Sequence, residues 1–94
     1  MNELRRLRVA AGLSLTELAK KVDSHQPQIT RWEKDHRQIP VEWAIKFGIF
    51  FNCHPSVFRP ELGGDGLDAL LHDHPEIKLQ VREFAEFLLK KSDS

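Results

Sequence analysis

The sequence predicts an all-α fold, and three observations carry that prediction. Apolar residues recur at helical spacing, helix start and stop signals bracket those stretches, and no segment alternates convincingly between apolar and polar residues as a half-buried strand would. The chain has 94 residues, 40% hydrophobic and 30% charged, with six Phe and two Trp. That is the composition of one globular domain, or one small domain with an appendage, and its core is modest enough to favour self-association.

A first helix runs from Asn2 to about Ala11, with Leu4, Leu7 and Ala11 on one face, and Gly12 stops it as a left-handed cap residue. The second helix opens on a capping box, Ser14 with Glu17 three residues on, and Leu13 and Leu18 stand at the staple positions around it. Leu18, Ala19 and Val22 face the core. Asp23-Ser24-His25 reads as a tight turn, because Asp tolerates the left-handed conformation. A third helix follows over about 26–34, and Pro27 fits in its first turn.

Pro40 opens a fourth helix over about 41–51 that is apolar on two faces, Val41, Ala44, Ile45 and Gly48 on one and Trp43, Phe47 and Phe50 nearly opposite. His54-Pro55 starts a short helical turn to Phe58. Gly63-Gly64-Asp65-Gly66 reads as a linker and hinge. Leu67, Leu70 and Leu71 predict a one- to two-turn helix ended by Asp73-His74. Pro75 begins a last helix running to about Lys91, in which Ile77, Val81, Phe84 and Leu88 form a narrow apolar stripe of the kind used in helix–helix seams. This stripe can fold back on the Trp43, Phe47 and Phe50 face of its own chain, pack across a two-fold axis, or do both by exchange between chains.

One cysteine, Cys53, excludes an internal disulfide framework and suits a reducing compartment. No apolar run approaches the roughly 18 residues of a membrane span, and the N-terminus has no signal-peptide pattern. A cytoplasmic protein without a membrane partner is expected. Formal net charge is +0, but it is uneven. Residues 1–40 hold eight Lys/Arg against five Asp/Glu, and residues 41–94 hold six against nine, a basic front with an acidic back.

Two short helices joined by a turn of three to four residues have helix-turn-helix geometry. On the third helix Ile29 and Trp32 lie on one side, while Pro27, Thr30 and Arg31 point away, flanked by Gln26 and Gln28. Such a polar outer face suits base reading: Gln can pair with adenine, Arg with guanine, and the Thr methyl can touch that of thymine. An ordinary solvated face is the alternative. Arg8 and Glu33 each fall beside an apolar face of their helices, so neither charge tolerates burial without the other.

The run Leu4-x-x-Leu7-Arg8-x-x-x-Gly12-Leu13-Ser14-x-x-Glu17-Leu18-Ala19-x-x-Val22, then Gln28-Ile29-x-Arg31-Trp32-Glu33, then Pro40, resembles the Cro/C1 repressor-type (XRE-like) helix-turn-helix family. The stretches Gln38-Ile39-Pro40-Val41-Glu42 and Phe58-Arg59-Pro60-Glu61-Leu62 are similar to its YdaS-like and phage CII-like branches. The resemblance covers residues 4 to about 62. It implies a lambda-repressor-like helix-turn-helix domain over 1–62, followed after the 63–66 linker by C-terminal helices over 67–94 that serve dimerisation. It further implies base contacts from Gln26, Pro27, Thr30 and Arg31, and phosphate contacts from Ser14, Gln28, Lys34 and Arg37. Arg8 and Glu33 match the pair that links the first and third helices. The sequence departs from the family at Leu15, where a polar DNA-contacting residue is usual, at Pro27, and at Asp23 and Asp35, where glycine is usual. Direct readout then leans on Gln26, Thr30 and Arg31.

Cys53, His54, His72 and His74 match no zinc-ligand spacing, and no nucleophile, base or phosphate-loop motif stands in a supporting context. The expectation is a non-enzymatic, cofactor-free transcription regulator of bacterial or phage origin, reading double-stranded DNA with its third helix as a homodimer. The dimer contacts are assigned to Trp43, Phe47, Phe50, Ile77, Val81, Phe84 and Leu88. The rival reading is an antitoxin or adaptor of the same fold whose main partner is a protein.

Overall fold

The computed structural model describes residues 2–92, with side chains over 2–90. It has six α-helices: α1 (Glu3–Ala10), α2 (Leu15–Lys21), α3 (Gln26–Lys34), α4 (Val41–Phe51), α5 (Gly66–Asp73) and α6 (Pro75–Ser92). Single 3-10 turns occupy His36–Gln38, Pro55–Val57 and Pro60–Leu62, and no strand occurs among the described residues. The last two residues of the 67–94 segment lie outside the described residues.

Local chemistry sets the helix ends. Asn2 caps α1 by accepting from the Arg5 N–H, and Ser14 and Glu17 close a reciprocal capping box on α2. The ends of α1, α2 and α4 share one device. A residue with positive φ (Gly12, Asp23 and Asn52) reverses the chain, and the next N–H reaches back to a carbonyl of the last turn: Leu13 to Arg8 at 3.1 Å, Ser24 to Ala19 at 2.8 Å and Cys53 to Gly48 at 2.8 Å. These bonds satisfy carbonyls that the helix end would otherwise leave open.

The core gathers around α4. Leu4, Leu18, Val22, Ile29, Trp32, Ile39, Ala44, Phe47, Phe58 and Leu62 form one buried cluster. Phe47 is fully buried, with ring centroids 5.7 Å from both Trp32 and Phe58, and Trp43 lies 5.2 Å from Trp32. The two apolar faces of α4 are both used: Gly48 and Ile45 are buried on one, while the other meets α3 and α6. A side chain at Gly48 would put its Cβ 2.6 Å from the Cys53 carbonyl oxygen, so only glycine lets the chain turn back this closely.

The glycine-rich stretch is a bonded turn, not a slack tether. The Gly63 N–H donates to Pro60 and the Gly66 N–H to Gly63, and Gly66 is the first residue of α5. A Cβ on Gly66 would lie 2.2 Å from the Glu61 carbonyl oxygen. The turn is tight because Leu62, just before it, is buried and α5 packs beside the Pro60–Leu62 turn. From there α6 returns along α4, seating Phe84 with its ring 6.1 Å from that of Trp43.

Candidate nucleic-acid interface

The back of α3 is held rigidly. Ile29 and Trp32 are buried. Glu33, one residue on, receives two hydrogen bonds from Arg8 of α1: Nε to Oε2 at 2.6 Å and Nη2 to Oε1 at 3.1 Å. Their side chains are only 12% and 8% exposed. Arg8 also donates from Nη1 to the Leu13 carbonyl at 2.9 Å, and the hydrogen bond with Glu33 raises its pKa above the ordinary guanidinium value. Asn2 adds a second tie, its Nδ2 donating to the Trp32 carbonyl at 2.7 Å.

The front of α3 is open. Gln26, Pro27 and Arg31 are exposed and Thr30 is half-buried. Gln26 and Thr30, like Pro27 and Arg31, stand four residues apart, so the four side chains form one strip along the first two turns of the helix. Gln28 sits at the edge of that strip, its Oε1 accepting from the Ser24 hydroxyl at 2.7 Å. Pro27 costs the helix nothing at this position, since the first-turn N–H groups have no intrahelical acceptor.

Exposed cations follow this strip along the chain. Arg31 and Lys34 have no ion-pair partner among the described residues. Arg37 projects with 81% of its side chain exposed, braced by Asp35 through Nε to Oδ1 at 3.1 Å. Asp35 also accepts from the Arg37 N–H at 3.0 Å, and these bonds hold its carboxyl below the usual range. Asp35 thus caps the 3-10 turn that carries Arg37. Ser14 accepts from the Glu17 N–H at 3.0 Å, and its own O–H remains able to donate outward. Leu15 is half-buried and packs on the core.

The residues assigned to dimer contacts pack within this chain. Phe47 and Phe84 are buried, and Trp43, Phe50 and Leu88 pack against the same cluster within this chain. Ile77 is buried and Val81 half-buried on the same side of α6. Within one chain the stripe on α6 thus lies along α4. The large apolar residues left exposed include Ile49 (41%), Leu79 (58%) and Leu89 (66%).

Three side chains with structural roles in the fold carry no signal in the sequence pattern. Asn2 and Arg59 act on distant carbonyls, and Lys46 lays its ammonium 4.4 Å from the Trp43 ring centre. Among the described residues no group of three His, Cys, Asp or Glu side chains could hold a metal ion, and no helix is long and apolar enough to cross a membrane.

A family model described as Helix-turn-helix matches residues 4–58, more than half of the chain. The protein belongs to this helix-turn-helix family, of the XRE/Cro-C1 type, a class of DNA-binding regulators. No curated protein and no solved structure matches the chain.

Proposed function

We propose that this protein is a cytoplasmic, sequence-specific transcription regulator that places α3 in the major groove of duplex DNA and works as a homodimer. One observation carries the reading: α3 is fixed from behind by Ile29, Trp32 and the Arg8–Glu33 pair, yet leaves Gln26, Pro27, Thr30 and Arg31 as a solvent-facing strip. The N-terminal part of the second helix of such a motif is the part that reaches base edges. Gln26 supplies a paired donor and acceptor, Arg31 supplies paired donors, and Thr30 supplies a methyl group for thymine. Ser14, Gln28, Lys34 and Arg37 border the strip as phosphate contacts, which set register without reading sequence.

A homodimer would present two third helices to successive major grooves, about 34 Å apart. Exposed Ile49, Leu79 and Leu89 supply apolar surface for it. Exchange of α6 between two chains is the other route, since it keeps the Phe84–Trp43 contact. No cofactor and no catalytic step enter this reading.

Titration of a labelled random-sequence duplex at low and moderate salt tests it. Binding that weakens steeply with salt is the expected result, because phosphate neutralisation releases counterions. Selection from a random duplex pool should then yield a palindromic consensus. Absence of salt-sensitive binding would shift the reading to a protein-binding antitoxin or adaptor of the same fold.

A further inference from the structure

The loop from α3 to α4 raises a structural question that its own backbone does not answer. The 3-10 turn His36–Gln38 cannot extend. Its next bond would run from the Arg37 carbonyl to residue 40, and Pro40 has no N–H. Ile39 is fully buried, so its carbonyl needs a partner from elsewhere in the fold.

That partner is Arg59, about twenty residues on. Its Nη1 donates to the Ile39 carbonyl at 2.9 Å and to the Arg37 carbonyl at 3.3 Å. Its Nε donates to Glu61, and 27% of the Arg59 side chain is exposed. The guanidinium thus fastens the loop after α3 to the Pro60–Leu62 turn, whose Leu62 is buried in the core. Arg37 rises from the backbone so fastened, aimed outward and braced by Asp35.

We propose that Arg59 is a positioning residue for DNA binding: it holds the 35–39 loop so that Arg37 presents its guanidinium to a phosphate. Glu61 neutralises Arg59 and orients it, so Arg59 acts through Arg37 and touches no nucleic acid itself. The inference rests on the reading of α3 and its flanking cations as a DNA-binding face.

The salt dependence of duplex binding separates positioning from contact, because each neutralised phosphate contributes about 0.9 to the slope of log K against log salt. Arg37→Gln should lower the slope by about 0.9, Arg59→Gln by up to the same amount, and the double variant by about 0.9 in all. Non-additivity is the signature of one residue acting through the other. A slope unchanged in Arg59→Gln overturns the proposal. So does an additive loss of about 1.8 in the double variant, which marks Arg59 as a phosphate contact in its own right. Thermal melts establish that each variant is folded. If Arg59→Gln is not, Arg59→Lys replaces it: Lys keeps the charge but not the fork, so positioning predicts a reduced slope and direct contact an unchanged one. If the wild type itself shows no salt-sensitive binding, the DNA reading fails and this proposal with it. Wild-type binding with an indifferent Arg59 removes this proposal alone.

Discussion

The Arg8 guanidinium and the Glu33 carboxylate face each other in a two-bond fork, 25 residues apart in sequence and almost wholly withdrawn from water. The fork sets where α3 lies on α1, and hence where the exposed strip points. Its contribution is geometric more than energetic, because desolvation offsets much of the attraction in such pairs. Removing one partner is another matter. Arg8→Met and Glu33→Leu should each cost about 3–5 kcal/mol by leaving a lone buried charge or an unpaired group behind. The double variant should recover part of that loss, though not all, because Leu13 also loses the Arg8 hydrogen bond. Thermal melts of the three variants make the test. Two near-neutral single variants would show that the fork does not fix the helices.

Base readout should divide from phosphate contact along α3. Gln26→Ala and Arg31→Ala remove groups from an exposed strip, so the fold should be unaffected. Each should flatten preference at particular base pairs by about 1–3 kcal/mol. Lys34→Gln should instead weaken all sequences alike and reduce the salt slope by about 1. Binding titrations against a selected site and single-base variants of it separate the two behaviours. Intact discrimination in both Gln26→Ala and Arg31→Ala would remove α3 as the reading element.

Much of this motif is legible in the sequence because its determinants are local. The capping box of Ser14 and Glu17, the left-handed Asp23 and the first-turn Pro27 each depend on neighbours within a few residues. Spacing also shows which side chains share a face, which is how the strip on α3 and the stripe on α6 are found. It does not show which distant surface meets that face, so by spacing alone the seat of Phe84 on Trp43 is one option among three. Bonds from a side chain to a remote carbonyl are the least legible. Arg59 before a proline and Asn2 at a helix cap carry no mark of the carbonyls they serve. The Gly63–Gly66 run does not show its packing in the sequence, since glycine serves close approach as readily as freedom, and here Gly66 packs against the Glu61 carbonyl.

Acid should loosen the helix-turn-helix motif through its caps. The Glu17 carboxyl sits below its usual range because the Ser14 backbone N–H donates to it, with the Ser14 side chain contributing next. Hydrogen bonds from Arg37 lower Asp35 in the same sense. A carboxyl depressed in the folded state binds fewer protons than in the unfolded chain. Its stabilisation is therefore complete above the ordinary carboxylate range, about pH 4, and fades as pH falls through the lower folded value. Glu17→Gln removes the titration while keeping an acceptor. The wild type should melt higher than Glu17→Gln at neutral pH, and the gap should close below about pH 4. A gap that does not change with pH would mean that the Glu17 charge contributes nothing to the cap.

The two faces of α6 should respond oppositely to substitution. Phe84 is 6% exposed and packs on Trp43, which in turn packs on Trp32 of α3. Phe84→Ala should cost about 3–5 kcal/mol and alter tryptophan fluorescence as Trp43 loses its neighbour. Leu79 and Leu89 stand in solvent, so Leu79→Glu and Leu89→Glu should leave the melt nearly unchanged. Sedimentation then distinguishes the routes to a dimer. Assembly through the outer face of α6 predicts that the two Leu variants become monomers with unaltered stability. Exchange of α6 predicts that they stay dimeric, and that dissociation and destabilisation appear together in Phe84→Ala. A wild type that sediments as a monomer at micromolar concentration would leave α6 as a brace within one chain, and two-half-site reading would lose its basis.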